Sequence, residues 1–159
     1  MKKGFTLIEL LIVIVIIGIL AVAFLPSIMN APAKARDATR QSVVNNIAGI
    51  FATKDLNAGL TYVTTGTPLC VIASNTTGVS GLLVPADFDT GVFPSDPKAA
   101  NVTGGCTGGF EVIVSGASPY KYAVGSTTEV AANANAACSA TGIDFSAATK
   151  NCFAAVYAK

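Results

Sequence analysis

Residues 1–29 read MKKGFTLIELLIVIVIIGILAVAFLPSIM, and the physical demands of this stretch decide the fold. Phe5 to Phe24 is a twenty-residue stretch, apolar almost throughout. As a helix rising about 1.5 Å per residue it spans about 30 Å, the thickness of a bilayer's hydrocarbon core. Lys2 and Lys3 precede it, so the positive-inside bias keeps the N-terminus cytoplasmic and sends the rest of the chain outward. A secretory signal shares the basic start and the apolar run, and is cut after that run, here near Ala21 to Ala23. Such a signal gives no reason for Glu9.

Glu9 interrupts the apolar run, where an ionised carboxylate costs about 2.5–3.5 kcal/mol on insertion scales. It needs a partner. Cleavage after Gly4 would create one, because the new α-amino group of Phe5 is largely protonated at neutral pH. Within one chain the amine and the carboxylate lie about one helical turn apart along the axis. An axially displaced neighbour therefore offers its amine to Glu9 more readily, and the pair would set subunit register.

These residues, KKGFTLIELLIVIVIIGILA followed by Pro26, resemble the N-terminal motif of type IV pilins and pseudopilins. The resemblance implies that a prepilin peptidase cuts after Gly4 and methylates the amine of Phe5, which stays basic. It implies that Glu9 and Phe5 act together in filament assembly and that Pro26 is the family's helix proline. The implied fold is α+β: a long N-terminal helix, membrane-spanning in its first half and amphipathic in its second, packed against a small antiparallel β-sheet head. The expected divisions are a leader at 1–4, a transmembrane and assembly helix at 5–29, an amphipathic helix at 30–58 and a globular β head at 59–159 with a disulfide-closed C-terminal region. With its leader present, the chain reads as the unprocessed precursor.

Composition agrees with a chain that partly leaves water. Of 159 residues only 12% are Asp, Glu, Lys or Arg and 52% are apolar, against about 25% charged in a soluble protein. The length suits one modest core with an appendage. The formal charge is +1. Removing Lys2 and Lys3 from ten basic side chains leaves eight against nine acidic ones. No basic run is long enough to track a nucleic-acid backbone, so no direct nucleic-acid binding is expected.

There is no histidine, which excludes Cys/His metal sites, Cys/His nucleophile pairs and a Ser/His/Asp triad. No Gly-rich phosphate loop stands out either. A membrane-anchored enzyme therefore has nothing to recommend it, and neither catalytic residues, a cofactor nor a metal is expected. Cys70, Cys106, Cys138 and Cys152 are an even number in the part of the chain that would be exported, where disulfides form. Spacing permits all three pairings. The resemblance favours Cys138 with Cys152, because many type IV pilins close a surface loop near the C-terminus this way; Cys70 with Cys106 would then staple the connection ahead of the head's hairpin.

Beyond Pro26 the chain reads SIMNAPAKARDATRQSVVNNIAGIFATKDLNAGL. Val44, Ile47 and Phe51, with Val43 and Ile50 beside them, keep helical spacing. This predicts an amphipathic half-helix that covers the head with its apolar stripe and turns Lys34, Arg36, Asp37, Arg40 and Gln41 toward solvent or a neighbouring subunit. Asn57 and Gly59 suit its end. Pro26 and Pro32 each lack an amide donor and crowd the preceding turn, so a bend or local unwinding is expected between them. Phe5, Phe24 and Phe51 invite a charge-carrying reading, which loses to ordinary core packing.

From Thr61 onward small and polar residues separate short apolar runs, the pattern of β structure with long loops. The best hairpin joins FEVIV at Phe110 to Val114 with YKYAV at Tyr120 to Val124, rich in β-branched and aromatic residues. Weaker strand candidates are Thr61 to Thr65, Leu69 to Ala73 and Phe153 to Tyr157. Asp87, Asp89 and Asp96 lack calcium-loop spacing and read as solvated loop acids.

The resulting expectation is a structural subunit, the major pilin of a type IV pilus, polymerised into a surface filament for adhesion, motility or DNA uptake. The alternative is a pseudopilin of a type II secretion system. The implied partners are further copies of the chain, the prepilin peptidase, the pilus assembly platform in the inner membrane, and membrane lipid before assembly. The precursor is expected as a single-pass inner-membrane protein with a cytoplasmic N-terminus.

Overall fold

The computed structural model describes residues 4–58, 69–71, 83–100, 102–103, 106–114, 120–137, 139–140, 143–144 and 151–158. Contacts divide the chain into two units, residues 1–33 and 34–159.

The first unit is built on α1 (Leu7–Met29). Its window Leu7–Leu25 is 19 residues with a mean hydropathy of 3.2, long and apolar enough to cross a membrane, and none of it is buried within the chain. Large apolar side chains along α1 are between 46% exposed, at Val13, and 84%, at Leu7. A helix apolar on every side and unburied among the described residues calls for lipid or other helices. α1 continues through Pro26 to Met29, and the helix is interrupted at Asn30. α2 (Ala31–Ala58) has Pro32 as its second residue, in the first turn, where no amide donor is required. Pro32 therefore starts a helix instead of interrupting one.

The second unit contains α2 from Lys34 onward and a β head. The head's strands are β1 (Leu69–Val71), β2 (Val102–Thr103), β3 (Cys106–Thr107), β4 (Phe110–Val114), β5 (Tyr120–Thr127), β6 (Ala136–Ala137), β7 (Ser139–Ala140), β8 (Ile143–Asp144) and β9 (Asn151–Ala158). Five of them make an antiparallel sheet in the order β1-β4-β5-β9-β6. β2 pairs with β3, and β7 with β8. The expected hairpin is β4 with β5, in register Val112↔Val124, and β5 extends three residues beyond its expected end, to Thr127. The C-terminal candidate lies within β9 and the Leu69 candidate begins β1, whereas Thr61 to Thr65 and Gly59 lie outside the described residues.

The core forms where the two element types meet. Val44, Ile47 and Phe51 of α2 are 0% exposed and pack with Phe110 and Val112 of β4 and Tyr122 and Val124 of β5. The rings of Phe51 and Tyr122 stack at 5.1 Å between centroids. The Tyr122 hydroxyl donates to the Ala48 carbonyl at 3.1 Å, which keeps the phenol satisfied inside the core. Leu83, Phe88 and Phe93 close one side, the two phenylalanines meeting edge to face at 5.6 Å.

Candidate functional site

The N-terminal site starts from the unpaired amides of a helix end. Gly4, Phe5 and Thr6 run up to α1 without regular structure, and Thr6 is its N-cap, extended at φ −85°, ψ 148°. The Thr6 hydroxyl accepts from the Glu9 amide at 3.4 Å. It also donates to Glu9 Oε2 at 2.6 Å, and the Thr6 amide donates to the same oxygen at 2.9 Å. This is a reciprocal capping box. The positive end of the helix dipole also favours a carboxylate here. Glu9 therefore has a hydrogen-bonding partner in its own chain, Thr6, besides the amine that cleavage after Gly4 is expected to create. Among the described residues, Oε1 accepts no hydrogen bond.

Ahead of the cap, Phe5 is 78% exposed. A Cβ added at Gly4 would meet nothing within 4 Å, and Gly4 is not among the positive-φ glycines. The fold itself therefore sets no requirement for glycine at position 4. Sequence reasoning found Gly4, Phe5 and Glu9 and missed Thr6, although the T-x-x-E spacing of Thr6 and Glu9 is a readable cap signature.

A second constellation lies in the head. Asp37 and Arg40 are 0% exposed, where the sequence suggests a solvent-facing or subunit-facing position. Arg40 donates from Nε and Nη2 to the two oxygens of Asp96, both at 2.8 Å. It also donates from Nη1 to Asp37 at 2.7 Å and pairs through Nη2 with Glu129 at 2.9 Å. Asp37 accepts from the amides of Glu129 and Val130, both at 2.9 Å, and from Asn133 Nδ2 at 3.0 Å. Arg36 forks onto Glu129 at 2.8 and 2.7 Å, and Lys98 lies 3.7 Å from the same carboxylate. Of the other residues expected outside, Lys34 is exposed, while Gln41 is half-buried and donates to the Asn133 carbonyl at 3.0 Å.

The physical reason is the helical period. Counting back from Phe51, Ile47 and Val44 in steps of four and three reaches positions 40 and 37, so one stripe of α2 passes from apolar to charged without leaving the buried face. Buried charges are tolerated because each finds several hydrogen bonds. Asp96 is presented by a loop whose amide at 96 donates to the Gly108 carbonyl at 3.0 Å. Gly108 has φ +69°, and a Cβ there would stand 2.9 Å from the Ala99 carbonyl oxygen, so only glycine admits this approach.

The charges shift one another. The Arg36 guanidinium, first, and Arg40 pull the Glu129 carboxyl down to about 2 against a smaller opposing effect of burial. Burial works to raise the Asp37 carboxyl, but the Glu129 amide, Asn133, the Val130 amide and Arg40 together hold it below its ordinary value. Burial likewise opposes the charge on Arg40, and the bonds to Asp96, Glu129 and Asp37 outweigh it and raise the pKa.

The remaining candidates fall into place separately. Cys70 is bonded to Cys106, tying β1 to β3. Cys152 is also disulfide-bonded, and Cys138, its expected partner, lies outside the described residues. The three loop acids do not converge and are not all solvated. Asp87 caps the Val84 amide at 2.8 Å and pairs with Lys54 at 2.6 Å; Asp96 is buried on Arg40; only Asp89 is exposed. No group of three or more possible metal ligands occurs among the described residues. Of the three phenylalanines expected in a core, Phe51 is there, whereas Phe5, ahead of α1, and Phe24, on it, are 78% and 61% exposed.

In comparison with known proteins, residues 1–25 match the family model of the prokaryotic N-terminal methylation motif. No curated protein and no solved structure matches the chain. The matched motif contains the Gly4–Phe5 bond and Glu9, and it is followed by an α+β head of the expected layout. The match, confined to residues 1–25 of 159, supports a precursor of the type IV pilin or pseudopilin type.

Proposed function

We propose that this chain is the major subunit of a type IV pilus, cut after Gly4, methylated on Phe5 and polymerised through α1. The observation that carries the reading is Glu9: a carboxylate in the first turn of a wholly apolar helix, with Oε2 held by Thr6 and Oε1 accepting nothing among the described residues. Cleavage removes Lys2 and Lys3, which would otherwise hold the N-terminus at the cytoplasmic face. It also frees a cationic amine at Phe5. In a fibre that amine bonds to Glu9 of a neighbouring copy, and the apolar faces of α1 exchange lipid for one another. The exposed Gly4, which the fold does not require to be glycine, fits a position read by a peptidase.

Replacing Glu9 with Ala tests the reading. Membrane insertion should persist, since removing a charge eases it, and surface fibres should be lost; a wild-type fibre yield in that variant refutes the pairing. A pseudopilin of a type II secretion system shares the motif. Deleting the gene separates the two, because normal surface fibres with a secretion defect would select the pseudopilin.

A further inference from the structure

Among the described residues, the part of α2 that enters the head is held there by polar contacts, most of them between charged groups, before any apolar contact begins. Between Lys34 and Ser42 the only apolar residues are Ala35 and Ala38, and both are exposed. The apolar stripe starts at Val43 and Val44. What fastens the intervening turns is Arg36, Asp37 and Arg40, bonded to Asp96 on one loop and to Glu129 on another, with Lys98 3.7 Å from the Glu129 carboxylate. Gln41 adds one bond to the Asn133 carbonyl. Just upstream lies the interruption at Asn30, between Pro26, which lacks an amide donor inside α1, and Pro32, which begins α2, and a helix is easiest to lose at such a break.

We propose that this six-charge cluster is a stop: it confines unwinding of the proline-flanked segment to residues before Arg36 and keeps it from running on into the head. Apolar packing tolerates small slides of a helix. The two-pronged bond of Arg40 to Asp96 and the four bonds accepted by Asp37 do not, because each requires its own distance and direction. Buried ion pairs gain little net stability over apolar packing, so the cluster's contribution is to fix helix rotation and axial position at the boundary of a cooperative unit. In a fibre, the use of such a stop is to let the segment behind it lengthen under load while the head keeps its shape. That use rests on the pilus reading; the stop itself does not.

Hydrogen exchange of the full chain in detergent micelles tests it. In the wild type, amides of residues 38–43 should be protected on the timescale of 47–51, while those of 28–31 exchange far faster. Asp96→Asn, which takes one carboxylate from Arg40, should speed exchange at 38–43 by about tenfold or more and leave 47–51 and β5 unchanged. Glu129→Gln, at the half-exposed rim of the cluster, serves if Asp96→Asn lowers protection everywhere, and should give the same local pattern. Fast exchange at 38–43 in the wild type overturns the stop, as does a loss in Glu129→Gln that is absent or uniform across the head. Failure of the pilus reading would appear instead as a missing methyl-Phe5 on surface protein, with the exchange pattern intact.

Discussion

α1 and α2 are both long helices, of 23 and 28 residues, yet their side chains find partners in different places. Every described large apolar residue of α1 is at least 46% exposed, whereas Val44, Ile47 and Phe51 of α2 are 0% exposed against the sheet. Charge is distributed in the same sense. Among the described residues the carboxylate of α1, Glu9, is bonded within its own first turn, and the charges of α2 are bonded to residues 56 and 93 positions away. Among the described residues, α2 is therefore completed by the head, and α1 keeps its apolar surface uncovered. The proposed function, in lipid first and in a fibre afterwards, needs both kinds.

That contrast can be broken by substitution. Phe51→Ala removes the ring stacked on Tyr122 and should cost about 3–5 kcal/mol, read as a lower Tm of the head. Removing the Cys70–Cys106 bond, which closes a separation of 36 residues, by a double Ser substitution should cost about 2–4 kcal/mol. Thr6→Ala removes the cap of α1 and should cost about 1 kcal/mol, confined to fraying of the first turn and visible in its amide exchange, with the head's Tm unchanged. At the other extreme, Ile14→Ala, at a position 60% exposed, should not move the Tm of the head at all; a drop there would erase the distinction between the two helices.

Acid should separate the two regions further. Glu129 ionises at about 2 in the folded head against an ordinary 4.5, so its charged form is favoured by folding. Its contribution is fully present above pH 4.5 and is lost as the pH falls toward 2. Asp37, held low by the same neighbours, acts in the same direction. The head's Tm should therefore fall across that window. Glu129→Gln, lacking the titrating group, should show a shallower fall.

The apolar helix and the methylation motif that contains Gly4, Phe5 and Glu9 were legible because each depends on local sequence: run length, a basic flank, one carboxylate out of place. The β4–β5 hairpin was legible for the same reason, from two short β-branched and aromatic runs. Thr6 was legible as well, since its relation to Glu9 is a three-residue spacing, and only attention to the larger cost of the charge passed over it. The ion cluster was not. Asp37 and Arg40 lie on the stripe of Val44, Ile47 and Phe51, but a polar residue on a helix is read as solvent-facing unless its partners are known. Asp96 and Glu129 come from loops whose approach depends on tertiary packing, including the left-handed turn at Gly108.

The central claim is that the bond between Gly4 and Phe5 is cut and the product is displayed in a filament. Intact mass and N-terminal sequencing of protein sheared from the cell surface test it most directly. A chain beginning at N-methylated Phe5 is the predicted result, and a chain beginning near Ala23, as an ordinary secretory signal would leave it, would contradict the account.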